Sequence, residues 1–291
     1  MLRTILFTLT LTIGGLISTA VAQTDEFNLD QTYFIASDGT IHLQSDEAEV
    51  QIISSDRQDI RVVVHYKLTV RGITFGRSNQ FEMIVEERNG NLDIREKDRN
   101  FGSSGMIGMS DEEYTIDIEI PRDVNLDIKG DDGEYQITGI DGYIHMDADD
   151  SDAQISDVNG DDFSFSLDDG DLVLDGGNGR LRIQADDGDI QIHNGNFSEI
   201  DVDSDDSDIE ITSDLYDDGA YRVDIDDADF TFNISGGGGE FDIRHDDSDI
   251  STSREFENIR DDEDYSVFKL MGGSAKVTIR SDDGDINLRV F

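Results

Sequence analysis

The sequence has no cysteine and no tryptophan, and Pro121 is its single proline. Without cysteine the chain can hold neither a disulfide nor the lipid anchor of a bacterial lipoprotein. Basic residues are scarce too: 22 Lys and Arg stand against 68 Asp and Glu, for a formal net charge of −46. This charge excludes nucleic acids and anionic membrane surfaces as partners. It favours cations, basic partners, or a salty medium that screens the repulsion.

The first 22 residues have the parts of a secretory signal peptide. Arg3 supplies a positive start, residues 5–17 are largely apolar, and Ala20-Val21-Ala22 offers small residues for a signal peptidase. We predict cleavage before Gln23 and export to the periplasm, the cell surface or the exterior. No later stretch approaches the roughly 20 apolar residues that a helix needs to cross a bilayer, so no membrane span is expected.

An acidic four-residue step recurs along the chain between short apolar stretches, as in the sequence ADDGDIQI of residues 185–192. The Asp-Asp pairs of this step begin at positions 131, 149, 168, 186, 205, 226, 246 and 282. The intervals are 18 to 21 residues except for the last, 36, which is twice 18 and predicts a degenerate copy around residues 271–275. Such a period indicates a repeat architecture.

The apolar residues on the two sides of each step alternate in opposite phase. Leu181, Ile183 and Ala185 precede one step at a spacing of two residues, and Ile190 and Ile192 follow it at the same spacing. Alternation with period two is typical of β-strands with one buried face. The unit is therefore a strand, an acidic corner and a second strand, and both strands direct their apolar side chains towards one interior.

Two architectures satisfy this pattern: a meander of two-residue hairpins, or a parallel β-solenoid of stacked coils. Hairpin turns of type I′ need positive φ at the third corner position. That position is Gly in four copies, Ser in three and Ala in one, and Ser and Ala rarely adopt positive φ. The period also matches a two-sided coil of about 18–20 residues, so we favour the solenoid.

We therefore predict an all-β, parallel, single-stranded β-helix-like solenoid over residues 23–291. Residues 23–121 would form irregular first coils, and residues 122–291 would form the regular Asp-rich repeats. Residues 100–113 are rich in Gly, Ser and Met, which predicts a loop within the irregular part.

Three stretches resemble the bacterial secreted putative adhesin family, a domain of unknown function with a β-solenoid fold. Residues 114–128 (YTIDIEIPRDVNLDI) contain a strand that ends in Ile-Pro, residues 133–142 (GEYQITGIDG) follow, and Gly-Asp-Ile-like corners then repeat. The resemblance covers about residues 30–291, but this sequence doubles the corner Asp and replaces half of the corner glycines. It implies a structural or adhesion-like role towards an envelope or extracellular partner, basic or cation-bridged. It carries over no catalytic residues, because the family has none established.

The corner carboxylates are candidate cation ligands. Equivalent Asp side chains in a parallel stack lie about 4.8 Å apart, and two unit charges at that distance repel by roughly 0.9 kcal/mol even in bulk water. Oxygen ligands in irregular geometry suit Ca²⁺, so specific Ca²⁺ sites compete with a diffuse ion atmosphere as explanations. No other cofactor is expected. The candidate ligands are Asp150, Asp152, Asp168, Asp169, Asp171, Asp186, Asp187, Asp189, Asp205, Asp206 and Asp208.

A polysaccharide-active β-helix enzyme is the rival interpretation, because paired carboxylates can act as acid and base. Here the carboxylates are iterated, whereas an enzyme site normally interrupts a repeat. No Gly-x-Ser-x-Gly nucleophile elbow is present, and the five histidines share no place in the repeat. We therefore predict a protein that is not an enzyme. His245 occupies an inward corner position, where we expect a half-exposed ring bonded to a nearby Asp.

Overall fold

The computed structural model describes residues 22–75, 80–97 and 105–291, and these residues form 22 strands and no helix. The predicted signal peptide lies outside this part except for Ala22, where β1 begins, and it stays a prediction. None of the described segments is a helix long and apolar enough to cross a bilayer. The strands are β1 Ala22–Tyr33, β2 Thr40–Ser45, β3 Glu49–Ser54, β4 Ile60–Phe75, β5 Met83–Arg88, β6 Asn91–Glu96, β7 Gly105–Ile120, β8 Asn125–Thr138, β9 Ile144–Val158, β10 Asp162–Asp169, β11 Leu172–Gly176, β12 Asn178–Asp187, β13 Ile190–Asp206, β14 Ile209–Asp214, β15 Ala220–Asp227, β16 Phe230–Gly236, β17 Gly239–His245, β18 Ile250–Thr252, β19 Phe256–Asp261, β20 Tyr265–Leu270, β21 Ala275–Asp283 and β22 Ile286–Val290.

Each regular coil consists of two arms joined by an acidic corner, and successive coils pair in parallel. The predicted parallel β-solenoid is therefore confirmed. We call the sheet of arms before the corners face A and the sheet of arms after them face B; β8, β9 and β13 contribute to both. Face A runs β5, β6, β2, β8, β9, β10, β12, β13, β15, β21, β17, β20, β19, and face B runs β1, β4, β7, β3, β8, β9, β11, β13, β14, β16, β22, β18.

The core is a set of continuous stacks of inward side chains, because parallel register places equivalent residues of successive coils in contact. Most members are at most 2 % exposed. Full burial of a Val, Leu, Ile or Phe side chain contributes about 1.5–3 kcal/mol to the free energy of unfolding. One stack on face A runs through Ile41, Leu126, Ile144, Phe163, Leu181, Ile200, Tyr221, Val277 and Phe241.

The coils at the C-terminal end are not stacked in chain order. β21 and β22 come last in sequence, yet they insert between the β15–β16 coil and the β17–β18 coil. β20 pairs antiparallel with β17, and β19 pairs antiparallel with β20, which closes the end of face A with a hairpin. The predicted degenerate copy around residues 271–275 is wrong, because the 36-residue interval contains this hairpin instead of a coil.

The N-terminal end shows the same insertion. The β2–β3 coil lies between β8 and the arms β6 and β7, which come later in sequence. β4 pairs antiparallel with both β7 and β1, so these strands continue face B beyond the coils. The predicted loop at 100–113 is wrong over residues 105–113, which belong to β7 and pair with β4, and residues 100–104 lie outside the described part of the chain. The predicted boundary between residues 121 and 122 stays a prediction.

Candidate functional site: an acidic edge

Nine acidic corners lie above one another along one edge of the solenoid. Eight are the predicted Asp-Asp steps, and the ninth is residues 46–49, which stack directly on residues 131–134. Sequence reasoning missed this copy because it reads Asp-Glu-Ala-Glu. The available signal was the small inward pair Ser45 and Ala48, each 1 % exposed, at the positions that flank the Asp-Glu pair. At about 4.8 Å per coil the edge is about 38 Å long.

The first and second positions of the eight Asp-Asp corners are solvent-facing and chemically free. In the described part of the chain, none of these sixteen carboxylates (two at each of eight corners) forms a hydrogen bond or an ion pair. Register partners such as Asp169 and Asp150, or Asp187 and Asp206, belong to neighbouring coils. The edge therefore presents two columns of unpaired negative charge.

Three carboxyls on this edge, those of Asp149, Asp169 and Asp226, have raised pKa values, and the charges of neighbouring coils contribute to each shift after desolvation. Partial desolvation, followed by the charges of Asp168 and Asp131 in the adjacent coils, raises the pKa of Asp149 above its usual range. Desolvation and the charges of Asp150 and Asp187 do the same to the pKa of Asp169. Like charges disfavour the ionised form of each carboxyl, so a bound cation or proton would relieve the repulsion.

The fourth corner position has a structural task. Asp152 Oδ1 accepts the backbone N–H of Asp171 at 2.9 Å, and Asp171 Oδ1 accepts that of Asp189 at 2.9 Å. Asp208 Oδ1 accepts the N–H of Asp229 at 3.1 Å in the same way. Each carboxylate thus satisfies an amide of the next coil, and this ladder explains an acidic residue at this position without any metal.

The third corner position alternates between two solutions. Gly188 has a φ of +107°, and a Cβ there would lie 2.3 Å from the carbonyl oxygen of Gly170. Ser151 and Ser207 are fully buried and have no positive φ. Ser151 Oγ donates to the Asp131 carbonyl at 3.0 Å. A corner therefore accepts glycine in the left-handed region or a small residue in ordinary backbone, and Gly133, which has no positive φ, belongs to the second group.

The structure separates the predicted Ca²⁺ ligands into two groups. Asp152, Asp171 and Asp208 hold backbone amides of the following coil, and Asp189 occupies the equivalent fourth position. The other candidates are unpaired and lie in the two outer columns: Asp150, Asp168, Asp169, Asp186, Asp187, Asp205 and Asp206. Among the described residues no group of three or more His, Asp or Glu side chains is placed to hold one metal ion. Specific Ca²⁺ sites stay a prediction, and side chains from neighbouring coils would have to move together to form one.

His245 has a different partner from the one expected. The ring is half-buried, as predicted, but its Nε2 lies 3.2 Å from Ser266 Oγ, so the prediction of an Asp partner is wrong. Ser266 Oγ donates to Asp261 Oδ1 at 3.1 Å. In a serine–histidine–aspartate relay the carboxylate orients the histidine, whereas here it bonds the serine, which is fully buried.

On the edge opposite the acidic corners, where the chain turns from one coil to the next, one arginine pairs with the acidic residues of two turns. Arg122 donates to both carboxylate oxygens of Asp141, at 3.0 and 3.1 Å, and to Asp157 Oδ2 at 3.0 Å. The Arg122 guanidinium holds the pKa of the Asp141 carboxyl below its usual range. Bidentate pairing of this kind fixes the turns of two adjacent coils.

Comparison with known families places this architecture. The sequence profile of the Toastrack DUF4097 family matches residues 39–289. The chain belongs to this family. All nine acidic corners fall inside the match, and β1 falls outside it. The resemblance to an uncharacterised putative adhesin-like family with a solenoid fold is confirmed. No curated protein matches the chain.

Three solved structures align with most of this Toastrack chain at low identity. A putative adhesin from Bacteroides fragilis is 11 % identical, with 90 % of this chain and 97 % of that chain covered and a TM-score of 0.49. One from Parabacteroides distasonis is 10 % identical over 90 % and 98 %, with a TM-score of 0.37. A putative cell adhesion protein from Clostridium sporogenes is 10 % identical over 91 % and 100 %, with a TM-score of 0.27.

Proposed function

We propose that this protein is an exported, non-catalytic β-solenoid with an adhesion-like role at the cell envelope or outside the cell. Its acidic edge would gather cations and, through them, basic or cation-bridged partners. The observation that carries the proposal is the pair of outer columns, sixteen in-register carboxylates without a partner in the described part of the chain. Family membership and the iterated arrangement support an interaction role. A repeated carboxylate offers many equivalent contacts, whereas acid–base catalysis needs two carboxyls with different environments.

The test is retention of the mature protein on two surfaces at low ionic strength. A poly-lysine surface should hold it directly, and a poly-glutamate surface should hold it only when Ca²⁺ bridges the two sets of carboxylates. In the edge variant, Asp168, Asp169, Asp186 and Asp187 are all changed to Asn. We expect this variant to lose at least about half of the Ca²⁺-dependent retention.

A matched variant keeps the edge and removes the same number of charges from face A and the end hairpin. It changes Asp201 and Asp203 to Asn, and Glu240 and Glu257 to Gln. Equal loss of retention in both variants would contradict a role for the edge, because net charge alone would then explain the retention. If the protein is retained neither on poly-lysine nor, in the presence of Ca²⁺, on poly-glutamate, the whole proposal is contradicted.

A calcium-binding repeat protein is the alternative function, and the same unpaired columns favour it. It predicts that Ca²⁺ below 1 mM raises the Tm of the chelated protein by several degrees, because a ligand that binds only the folded state stabilises it by mass action. Mg²⁺ and NaCl at matched ionic strength are the controls. If they raise the Tm as much as Ca²⁺ does, fixed Ca²⁺ sites are excluded and the columns act as a screened surface.

A further inference from the structure

A groove of about 190 Å³ lies on face A, across the strands β6, β2 and β8. Its two walls are rows of side chains that stand in register on these three strands. The groove interrupts the acidic pattern of the chain, because its walls carry opposite charges. One wall is the row Asp93, His42 and Asp127, and the other is the row Arg95, Gln44 and Lys129.

The first wall is held in place by hydrogen bonds. His42 Nδ1 lies 2.8 Å from Asp127 Oδ2, and the Asn91 side-chain amide lies 3.4 Å from His42 Nε2. An amide nitrogen can only donate, so Nε2 accepts and Nδ1–H donates to Asp127. This wall therefore consists of an imidazole between two carboxylates, Asp93 and Asp127. Asp93 Oδ2 also lies 3.4 Å from Arg88 Nη1, a loose pair at the rim of the groove. Both His42 and Asp127 keep 41 % of their side-chain surface exposed to a ligand.

The second wall holds an arginine that lacks a counter-ion. Arg95 is half-buried, and it forms no ion pair and no hydrogen bond within the described residues, although the chain has 68 acidic residues. Lys129 Nζ is loosely paired, 3.6 Å from Asp147 Oδ2. The Gln44 amide lies between these two cations in register. Arginine is well suited to bidentate recognition of a carboxylate. Because Arg95 is half-buried and unpaired, its guanidinium can pair with the carboxylate of a ligand.

We propose that this groove binds small zwitterions of the α-amino acid type. The two rows are two residues apart on each strand, about 6.6 Å. In an α-amino acid the ammonium group lies about 3 Å from the carboxylate, so the molecule can bridge the two rows with a hydrogen bond at either end. Asp93 and Asp127 receive the ammonium group, and Arg95 and Lys129 receive the carboxylate. A ligand with one charge meets attraction from one wall and repulsion from the other. This site is independent of the acidic edge and of the function proposed for it.

Calorimetric titration of the mature protein with three alanine derivatives tests the assignment. L-Alanine carries both charges, L-alaninamide carries only the ammonium group at pH 6.5, and N-acetyl-L-alanine carries only the carboxylate. We expect L-alanine to bind at least about tenfold more tightly than either derivative. Arg95→Gln and Lys129→Gln should each weaken L-alanine binding, Arg95→Gln by about tenfold, because a charge-assisted contact is lost.

Arg182→Gln is the matched control. Arg182 is an exposed arginine on the same face, outside the groove, so this variant removes the same charge and should bind L-alanine as the parent protein does. Thermal unfolding establishes that each variant is folded. If Arg95→Gln does not fold, Lys129→Gln is used in its place. Equal binding of L-alanine and L-alaninamide would show simple attraction of cations and overturn the proposal. Two further results would also overturn the proposal. One is the absence of saturable L-alanine binding up to about 50 mM, a weak affinity even for a small ligand. The other is unchanged L-alanine binding in the folded Arg95→Gln variant.

Discussion

At the scale of single residues, the three acidic positions of a corner fall into two chemical kinds, although all three are acidic. The first and second face solvent and repel their neighbours, while the fourth accepts a backbone amide from the next coil. The third is decided by backbone geometry and by the space in front of the preceding carbonyl. Substitutions two residues apart should therefore differ in their effect on stability.

Asp171→Ala should lower the free energy of unfolding by about 1 kcal/mol, because the N–H of Asp189 loses its acceptor. Asp169→Ala, two residues away, removes the same charge but no hydrogen bond, and it also relieves repulsion from Asp150 and Asp187. We expect no loss, or a small gain, from this second variant. Urea denaturation at low salt measures both; equal destabilisation would contradict the division of tasks within the corner.

Gly188→Ala should be one of the most damaging single-methyl additions in the chain. The left-handed φ strains any side chain, and the added Cβ would lie 2.3 Å from the Gly170 carbonyl oxygen. We expect a loss of about 2 kcal/mol or more. Ser207→Ala is the comparison at the same corner position. It keeps ordinary backbone and removes only a long hydrogen bond of 3.4 Å to the Asp186 carbonyl. It should cost much less in the same urea denaturation experiment, and a smaller loss for Gly188→Ala would be inconsistent with the corner geometry.

At the scale of elements, chain order and stacking order differ at both ends of the solenoid. The C-terminal arms β21 and β22 are interior coils, with β17 and β18 stacked outside them. At the other end β2 and β3 are interior to β6 and β7. Each insertion ties a terminal segment between coils formed by other parts of the chain, so neither end coil can be completed before the inserted one is in place.

A chain that ends at residue 274 should therefore lose more than its last coil. The buried residues Val277, Ile279, Ile286 and Leu288 would be missing from the stack, and β17 and β18 would lose their parallel partners. We expect the Tm to fall by at least about 10 °C, since several kilocalories of apolar burial are removed. Limited proteolysis should then cut within residues 239–270. Protection of that segment in the shortened chain would show that β17 and β18 do not depend on β21 and β22.

At the scale of the whole molecule, the net charge of −46 makes stability depend on pH and salt. The raised pKa values of Asp149, Asp169 and Asp226 mean that these carboxyls stabilise the fold when protonated, and that this contribution is lost as the pH rises through their folded pKa. The lowered pKa values of Asp30 and Asp141 act in the opposite direction. Their contribution is present above the unfolded pKa and is lost as the pH falls through the folded pKa.

At low ionic strength the Tm should therefore rise as the pH is lowered from 7.5 to about 4.5 and fall again in stronger acid, where the pairs with Arg61 and Arg122 are broken. High salt should flatten the rise, because the edge charges are exposed and easily screened. Circular dichroism melts across this pH range, at low and high NaCl, measure both effects. A Tm that is flat or falls between pH 7.5 and 4.5 at low salt would contradict the edge repulsion.

Much of the coil could be predicted from the sequence, because the alternation of apolar residues and its phase reversal are local. The corner at 46–49 was missed since Glu replaces Asp at two positions, although the flanking Ser45 and Ala48 follow the rule. The groove on face A could not be predicted. Arg95, Gln44 and Lys129 are far apart in sequence and become neighbours only because β2 lies between β6 and β8.

The sequence by itself determined the unit: a strand, an acidic corner and a second strand, with both apolar faces directed inward and a period of one coil. Those features follow from side-chain direction and backbone conformation within a few residues. Only the tertiary structure decided the order in which the units stack. Backbone hydrogen bonds between parallel arms do not distinguish one coil from another, so the order depends on how the interior side chains of each coil fit its neighbours and on which strands close the ends.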